Sequence, residues 1–145
     1  TARYWDATLA PARRAGFAWP GLLAAPVLVV VCATPDAYVA RYAEADKART
    51  GLGTGADAWA VPYWFVDGGM AAENLLLAAV DAGLGACFFG VFDHEPALRV
   101  ALGIPPTVRT VGTIALGHPA PASRPGRSAG RPRRGVGDVA HRGGW

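Results

Sequence analysis

The segment that most constrains the fold is 68–82, which has the composition of a helix but no polar stripe. It combines three consecutive leucines with alanine, valine and methionine, and only Glu73, Asn74 and Asp81 interrupt it. A helix that is apolar nearly all round must be buried on every side. A chain of 145 residues is the size of one domain and can hardly supply that cover alone, so the pattern predicts a partner subunit.

The remaining hydrophobic segments alternate between strand and helix patterns. A run of β-branched residues at 25–34 predicts a strand buried on both faces. Pro35 and Asp36 directly after it are typical of the first turn of a helix. Two further strands are predicted at 86–92 and 107–116, with a short helix between them. This alternation indicates a layered α/β or α+β domain.

Composition excludes several classes of protein. Hydrophobic residues make up 52% of the chain and charged residues 17%, which argues against disorder. The longest apolar run, 22–33, is about half of the roughly 20 residues that cross a bilayer, and no secretory leader pattern is present. Cys32 and Cys87 lie far apart in apolar contexts, which favours two buried free thiols over a disulfide. These features predict a cytoplasmic protein.

The net charge of +3 belongs to the C-terminal tail. Residues 120–145 hold six arginines and one acid, Asp138, whereas the rest of the chain has eight basic and ten acidic residues and a net charge of −2. A basic tail of this kind can bind nucleic acid, wrap a neighbouring subunit or hold a phosphate. Composition leaves these three possibilities open.

Several motifs occur in order along the chain: "DGGMAAENLLLAAVDAGLGACFFGVF", "LRVALGIP", "VGTIALGHP" and a closing "RRGVGDVAHRGGW". In this order they resemble the FMN-dependent nitroreductase family, over about residues 22–145. The resemblance implies an α+β homodimer, a mixed three-layer α/β/α structure whose central sheet is flanked by helices. It also implies that the long central helix is buried at the dimer interface and that FMN lies between the two chains. We expect residues 1–119 to form the core and the arginine-rich tail, 120–145, to belong to the same domain.

The resemblance places the flavin ring against the backbone at the end of the strand that follows the central helix. The matching cofactor-binding residues here are Cys87, Phe88, Phe89 and Gly90. Because Gly90 has no Cβ, a main-chain N–H could approach flavin N5 and O4 and stabilise charge on the reduced ring. Strand alternation places at least one of the two phenylalanines in the core. Phe89 stands where some relatives carry a carboxylate.

The family's C-terminal basic residues bind the FMN phosphate. The matching candidates here are Arg131, Arg133 and Arg134. A guanidinium suits this role because it donates two parallel hydrogen bonds to a phosphate. The alternatives are a solvated tail or loose nucleic-acid binding, and the negative charge of the remaining chain disfavours nucleic acid.

One part of the family pattern is missing. Family members begin with an Arg-Arg-Ser/Thr motif that grips FMN, and this chain starts well into the pattern. Arg13 and Arg14 are followed by alanine and glycine, so we do not count them as that motif. The chain is then either a fragment or a shortened relative.

No side chain in the sequence is assigned a catalytic role, and no metal site is predicted. Asp93, His94 and Glu95 are adjacent on a predicted helix start, where Asp93 fits a cap better than a metal or acid–base cluster. The lack of an evident acid, base or nucleophile agrees with chemistry carried by a cofactor. A group of aromatic residues could form a substrate wall or pack in the core. These residues are Trp59, Tyr63, Trp64 and Phe65.

The sequence therefore predicts an FMN-dependent oxidoreductase with a ping-pong cycle. NAD(P)H would reduce FMN, which would then reduce a nitroaromatic, quinone or similar acceptor. The alternative is a catalytically inactive shortened relative that serves as a flavin-binding or dimerisation module. No motif in the sequence indicates the physiological acceptor or the choice among NADH, NADPH and a deazaflavin donor.

Overall fold

The computed structural model describes residues 1–120 and 129–144. Three strands form one antiparallel sheet in the order β1-β3-β2, with β1 at Val27–Ala33, β2 at Gly85–Phe89 and β3 at Arg109–Gly117. The α-helices of the described residues are α1 (Ala2–Thr8), α2 (Pro11–Arg14), α3 (Pro20–Ala24), α4 (Pro35–Ala43), α5 (Tyr63–Asp81) and α6 (Glu95–Leu102). Within the same residues, no helix has both the length and the hydrophobicity needed to cross a bilayer.

The central strand β3 forms the middle of the core because it pairs with both other strands. Its residues Thr113 and Ile114 are fully buried. The first strand, β1, lies at an edge, so the prediction that it is buried on both faces is wrong, and Val27 is 47% exposed. Where the resemblance implied a mixed sheet, all the described strands are antiparallel neighbours. The class is α+β, with helices flanking a central sheet.

Two hydrophobic clusters join the helices to the sheet. The first cluster consists of Tyr4, Trp5, Val91 and Leu98, packed against Leu28, Val30 and Phe89 among others. The second consists of Ala33, Trp59 and Trp64, packed against Tyr38, Tyr42, Leu52, Phe65 and Val111. Three of the four aromatic residues whose role the sequence left open thus pack in the second cluster, and the fourth, Tyr63, is 51% exposed.

The helix α5 begins at Tyr63, more than one helical turn before the predicted start at residue 68. Asp67, directly before the predicted start, therefore lies inside the helix and does not cap it. The extra turn forms because Trp64 packs into the second cluster, where burial of a large ring stabilises it. The carboxylate of Asp67 instead accepts a hydrogen bond of 2.5 Å from the hydroxyl of Tyr38, which ties α5 to α4.

The inner face of α5 is built from small residues. Gly68, Ala72 and Ala79 are buried, and the helix contacts all three strands. A Cβ on Gly68 would lie 2.7 Å from Cγ2 of Val111, closer than two carbon atoms can approach. Gly68 therefore allows the helix to lie directly on the sheet, where a larger residue would hold it off.

The outer face of α5 carries an apolar stripe that the described residues leave exposed. Tyr63, Met70 and Leu77 are spaced by seven residues and are 51%, 60% and 58% exposed. Val66 and Val80 lie on the adjacent row at 37% and 70%. Such heptad spacing on one face is typical of a helix that packs against another helix. We call these five residues the outer stripe.

An ion pair fastens α6 to the sheet. Arg109 donates two hydrogen bonds of 3.0 Å to the carboxylate of Glu95, which also accepts one of 3.0 Å from the backbone N–H of Thr110. These contacts, Arg109 first, lower the pKa of Glu95 to about 2. The predicted cap at Asp93 is wrong, because α6 starts one residue after His94 and no side chain caps it.

Both cysteines are free thiols, as the sequence predicted, but neither is buried. Cys32 and Cys87 lie on the two edge strands, each of which has a single neighbouring strand among the described residues. Partial burial is nevertheless enough to raise the pKa of Cys32.

Replacing two adjacent glycines of α5 by alanine should separate packing from helix propensity. Gly69→Ala meets no atom within 4 Å and should stabilise the fold by about 0.5–1 kcal/mol, because alanine favours the helix over glycine. Gly68→Ala gains the same propensity but forces Val111, a stiff β-branched side chain, out of place. We expect urea unfolding to show Gly68→Ala less stable than Gly69→Ala by about 1–3 kcal/mol. Equal stabilities would contradict the close helix–sheet contact.

The ion pair of Glu95 should make stability depend on pH in the acid range. The folded-state pKa of about 2 lies below the ordinary value of 4.5, so the stabilisation is fully present above about pH 4.5 and is lost as the pH falls towards 2. Arg109 is about half exposed, which limits the contribution to the order of 1 kcal/mol. In urea unfolding over this range, Glu95→Gln should lose less stability than the wild type. Asp57→Asn, at an exposed carboxylate, is the control and should follow the wild type.

Candidate functional site

A cavity of about 510 Å³ opens at the end of β2, where Gly90 is the first residue after the strand. We call it the aromatic cavity because six aromatic side chains line it. They are Tyr4, Trp5, Phe17, Trp19, Phe89 and Phe92. Its size is that of pockets that bind small molecules in proteins, which are about 300–1,000 Å³.

Gly90 and Phe92 are closely fitted at one side of the aromatic cavity. A Cβ on Gly90 would lie 2.6 Å from the ring of Phe92, so the ring occupies the space that a side chain at position 90 would need. Phe92 is 84% exposed and has a left-handed φ of 50°, which costs a non-glycine residue on the order of 1 kcal/mol. Strained backbone of this kind occurs disproportionately at ligand sites.

The helix α1 forms the opposite side of the aromatic cavity. Trp5 lies parallel to Phe89, with an angle of 7° between the rings and 6.1 Å between their centroids. Tyr4 packs edge-on against both of them, and its hydroxyl accepts a hydrogen bond of 3.0 Å from the buried hydroxyl of Thr113. Burial raises the pKa of Tyr4. The ring contacts and this bond fix α1 on the central strand.

The charge of the aromatic cavity is positive. Its titratable lining residues include Arg13 and His94, and among the described residues that line it none is acidic. Arg13 makes no ion pair or side-chain hydrogen bond within the described part of the chain. Its neighbour Arg14 instead donates hydrogen bonds to Asp6 at 2.6 Å and to the carbonyl of Leu9 at 3.1 Å, which secures α2 to α1.

A buried donor beside the aromatic cavity lacks an acceptor. Trp5 is 7% exposed, and its Nε1 has no hydrogen-bond partner among the described residues. Most buried polar atoms in proteins do have a partner, whether protein, water or ligand. The same lack of a partner among the described residues holds for Nε1 of Trp64 and Nε of Arg99, so this donor does not by itself indicate a ligand.

The predicted flavin residues of β2 are divided among three surroundings. Phe89 and Gly90 line the aromatic cavity. Cys87 faces a second cavity of about 380 Å³, which is also lined by His118 and Pro26. Phe88 points the other way along the alternating strand, over Gly112, and is 41% exposed. The structure thus brings two of the four residues together.

The predicted phosphate residues of the tail lie in a third place. Arg131, Arg133 and Arg134 line a concavity together with Ala129, Pro132 and Val139. All its lining residues belong to the tail, so within the described residues the three arginines share no cavity with Gly90. The carboxylate of Asp138 is engaged nearby, where it accepts a hydrogen bond of 3.0 Å from the backbone N–H of Gly135.

The sequence did not point to the residues that α1 and the segment after it contribute. Residues 1–20 have no clean period, and Arg13 and Arg14 were set aside because their context does not match the family motif. The available signal was the concentration of Tyr4, Trp5 and Trp19 in a short segment without a hydrophobic stripe. Large rings in such a segment must pack against something other than their own helix.

Two curated relatives match part of the chain. A protein of Archaeoglobus fulgidus named "Putative NADH dehydrogenase/NAD(P)H nitroreductase" is 41% identical over 63 residues, which are 40% of this chain and 36% of that protein. A protein of the same name from Methanothermobacter thermautotrophicus is 39% identical over 61 residues, covering 40% and 32%. The matches thus span about a third of the length of these relatives.

Two solved structures that align with this chain carry the same name as these relatives. The crystal structure of a "Putative NADH dehydrogenase/NAD(P)H nitroreductase" from Parabacteroides distasonis has a TM-score of 0.49 and 24% identity, and the match covers 87% of this chain and 82% of that one. The corresponding protein of Bacteroides thetaiotaomicron has a TM-score of 0.46 and 20% identity, with 87% and 81% covered.

The sequence model of the nitroreductase family matches residues 2–118. This range contains α1, the whole sheet, α5 and the lining of the aromatic cavity. The match covers well over half of the chain, and the chain therefore belongs to the nitroreductase family.

Proposed function

We propose that the protein is an FMN-dependent NAD(P)H oxidoreductase that reduces nitroaromatic, quinone or similar acceptors in a ping-pong cycle. The observation that carries the proposal is the opening of Gly90 into the aromatic cavity, in a chain of the nitroreductase family. A family whose named members include NAD(P)H nitroreductases supports an oxidoreductase role, and the cavity supports a planar cofactor or substrate.

The residues at the end of β2 fit the ring of a flavin. The ladder with β3 ends at Phe89, so the backbone of Gly90 lies beyond the paired strand and lines the aromatic cavity. The space left by its missing Cβ is filled by the exposed ring of Phe92, and the proposal is that the edge of a bound flavin takes the place of that ring. The role proposed for the N–H of Gly90 is to stabilise negative charge that gathers on the ring on reduction.

The residues of the tail fit a phosphate. Arg131, Arg133 and Arg134 provide guanidinium groups around one concavity, and none of its described lining residues is acidic. We infer that they hold the FMN phosphate, because a guanidinium donates paired hydrogen bonds to phosphate oxygens. Cys87 and Phe88 are proposed as further flavin contacts by their places in the family pattern.

The chemistry of this proposal belongs to the cofactor. Bound FMN would accept a hydride from NAD(P)H and transfer reducing equivalents to the acceptor. The side chains of the aromatic cavity would bind and orient the planar reactants and exclude water between them. No side chain of this chain is assigned a covalent or proton-transfer step.

The outer stripe of α5 supports a homodimer as the active form. Its exposed apolar residues would be covered by the same helix of a second chain, because a symmetric pair brings one stripe against the other. The separation of the tail concavity from the aromatic cavity is compatible with a ring held by one chain and a phosphate held by its partner. We therefore propose that FMN binds between two chains.

The cofactor proposal is tested by titrating the purified protein with FMN and recording its visible spectrum. We expect a bound yellow flavin that NADH or NADPH bleaches and a quinone restores. Arg133→Gln removes a phosphate donor and should raise the Kd for FMN about tenfold, because a hydrogen bond to a charged group contributes about 1.5–3 kcal/mol. Arg142→Gln, a tail arginine outside the concavity, is the control.

A protein that takes up no FMN would contradict the proposed function. A protein that binds FMN but oxidises neither NADH nor NADPH would instead identify the catalytically inactive flavin-binding or dimerisation module. The observation that favours this second candidate is that the phosphate residues and Gly90 share no cavity within the described residues.

The dimer is tested with two matched valine substitutions. Val80→Glu places a charge in the outer stripe, where Val80 is 70% exposed, and should convert dimers to monomers in sedimentation velocity. Val100→Glu places the same charge on α6, where the valine is 85% exposed, and should leave the dimer intact. A wild-type protein that sediments as a monomer, or equal effects of the two variants, would contradict an interface at the outer stripe.

A further inference from the structure

The aromatic cavity combines flat apolar surfaces with a positive charge that has no partner. Two of its rings, Trp5 and Phe89, lie parallel, and the exposed rings of Trp19 and Phe92 border the opening at 62% and 84% exposure. The exposed rings of Trp19 and Phe92 favour a planar aromatic ligand, because they can stack on it face to face or meet its edge.

Arg13 gives the cavity its selectivity for charge. Arg13 and Arg14 are adjacent in α2, yet Arg14 pairs with Asp6 and Arg13 lines the cavity without an acidic partner in the described part of the chain. A cation that has no protein anion beside it, in a cavity without acidic lining, attracts an anion by charge complementarity. Arginine suits a carboxylate in particular, because the planar guanidinium matches its two oxygens.

We propose that the aromatic cavity selects planar aromatic compounds that carry a carboxylate, with Arg13 as the residue that binds the carboxylate. Arg13 is thus a specificity residue: the rings bind the planar body of the ligand, and the guanidinium distinguishes an anion from its neutral counterpart. The identification of this ligand as the electron acceptor rests on the proposed function. Binding itself rests on the cavity alone.

The experiment compares two probes of nearly the same shape by calorimetry, 4-nitrobenzoate and the neutral 4-nitrobenzamide, on FMN-saturated wild-type protein. We expect 4-nitrobenzoate to bind about tenfold or more tightly than the amide, the fold-change typical of one charge-assisted hydrogen-bonded pair. Arg13→Gln should bring the two affinities together and lower that of the amide less than that of the carboxylate, because the neutral amide forms no ion pair with Arg13.

Two further variants test whether the carboxylate preference depends on the guanidinium of Arg13. Arg49→Gln removes an exposed arginine that lines none of the described cavities, and it should preserve the full preference. Arg13→Lys keeps the charge but not the paired donors, and it should retain part of the preference. If Arg13→Gln were to misfold, Arg13→Lys together with loss of the preference at high salt would decide the question.

The proposal is overturned if neither probe binds, if the two probes bind equally to the wild type, or if the preference survives in Arg13→Gln. Because calorimetry measures binding without turnover, the same comparison on protein without FMN separates this inference from the proposed function. A carboxylate preference in a protein that takes up no flavin supports the inference while the proposed function fails. If NAD(P)H reduces the bound flavin but the carboxylate preference is absent, the proposed function stands and this inference fails.

Discussion

The close contact between α5 and the sheet is the constraint on which the rest of the structure depends. Gly68, Ala72 and Ala79 let a helix of nineteen residues lie directly on three strands. Trp64 packs into the second cluster at the start of the helix, and Met70, Leu77 and Val80 are left on its outer face. One packing requirement thus accounts for both the helix–sheet contact and the surface that a second chain would cover.

The aromatic cavity follows from this arrangement and from the ring contacts of α1. Strand β2 delivers Phe89 to the first cluster, where Trp5 lies parallel to it and Tyr4 binds Thr113. The chain then turns sharply at Phe92, whose left-handed backbone directs its ring back over Gly90. The side of the cavity formed by Trp5 and Phe89 is therefore held by core packing, which is the condition for a preorganised binding site, whereas Phe92 on the other side is exposed.

The sequence predicted the elements whose physical signal is local. The strands and the apolar helix could be read from periodicity, β-branched runs and breaker residues, whereas the end of β2 at Phe89 falls inside the strand predicted at 86–92. The start of α5 could not, because Trp64 becomes helical through tertiary burial in the second cluster. The exposure of Cys32 and Cys87 was also missed, because an apolar context in sequence does not reveal that a strand lies at an edge. Of the predicted flavin residues, Phe89 and Gly90 lie at the aromatic cavity. Arg13 was not foreseen, because only the fold brings it to the other residues of that cavity.

The bond between Tyr4 and Thr113 joins residues that are 109 positions apart. Closing so long a loop costs conformational entropy that the contact must offset. Detachment of α1 would remove Tyr4 and Trp5 from the aromatic cavity without breaking the pairing of the strands. The cavity is lost when this one short helix detaches, so ligand occupancy of the cavity and local unfolding of the N-terminal segment are thermodynamically linked.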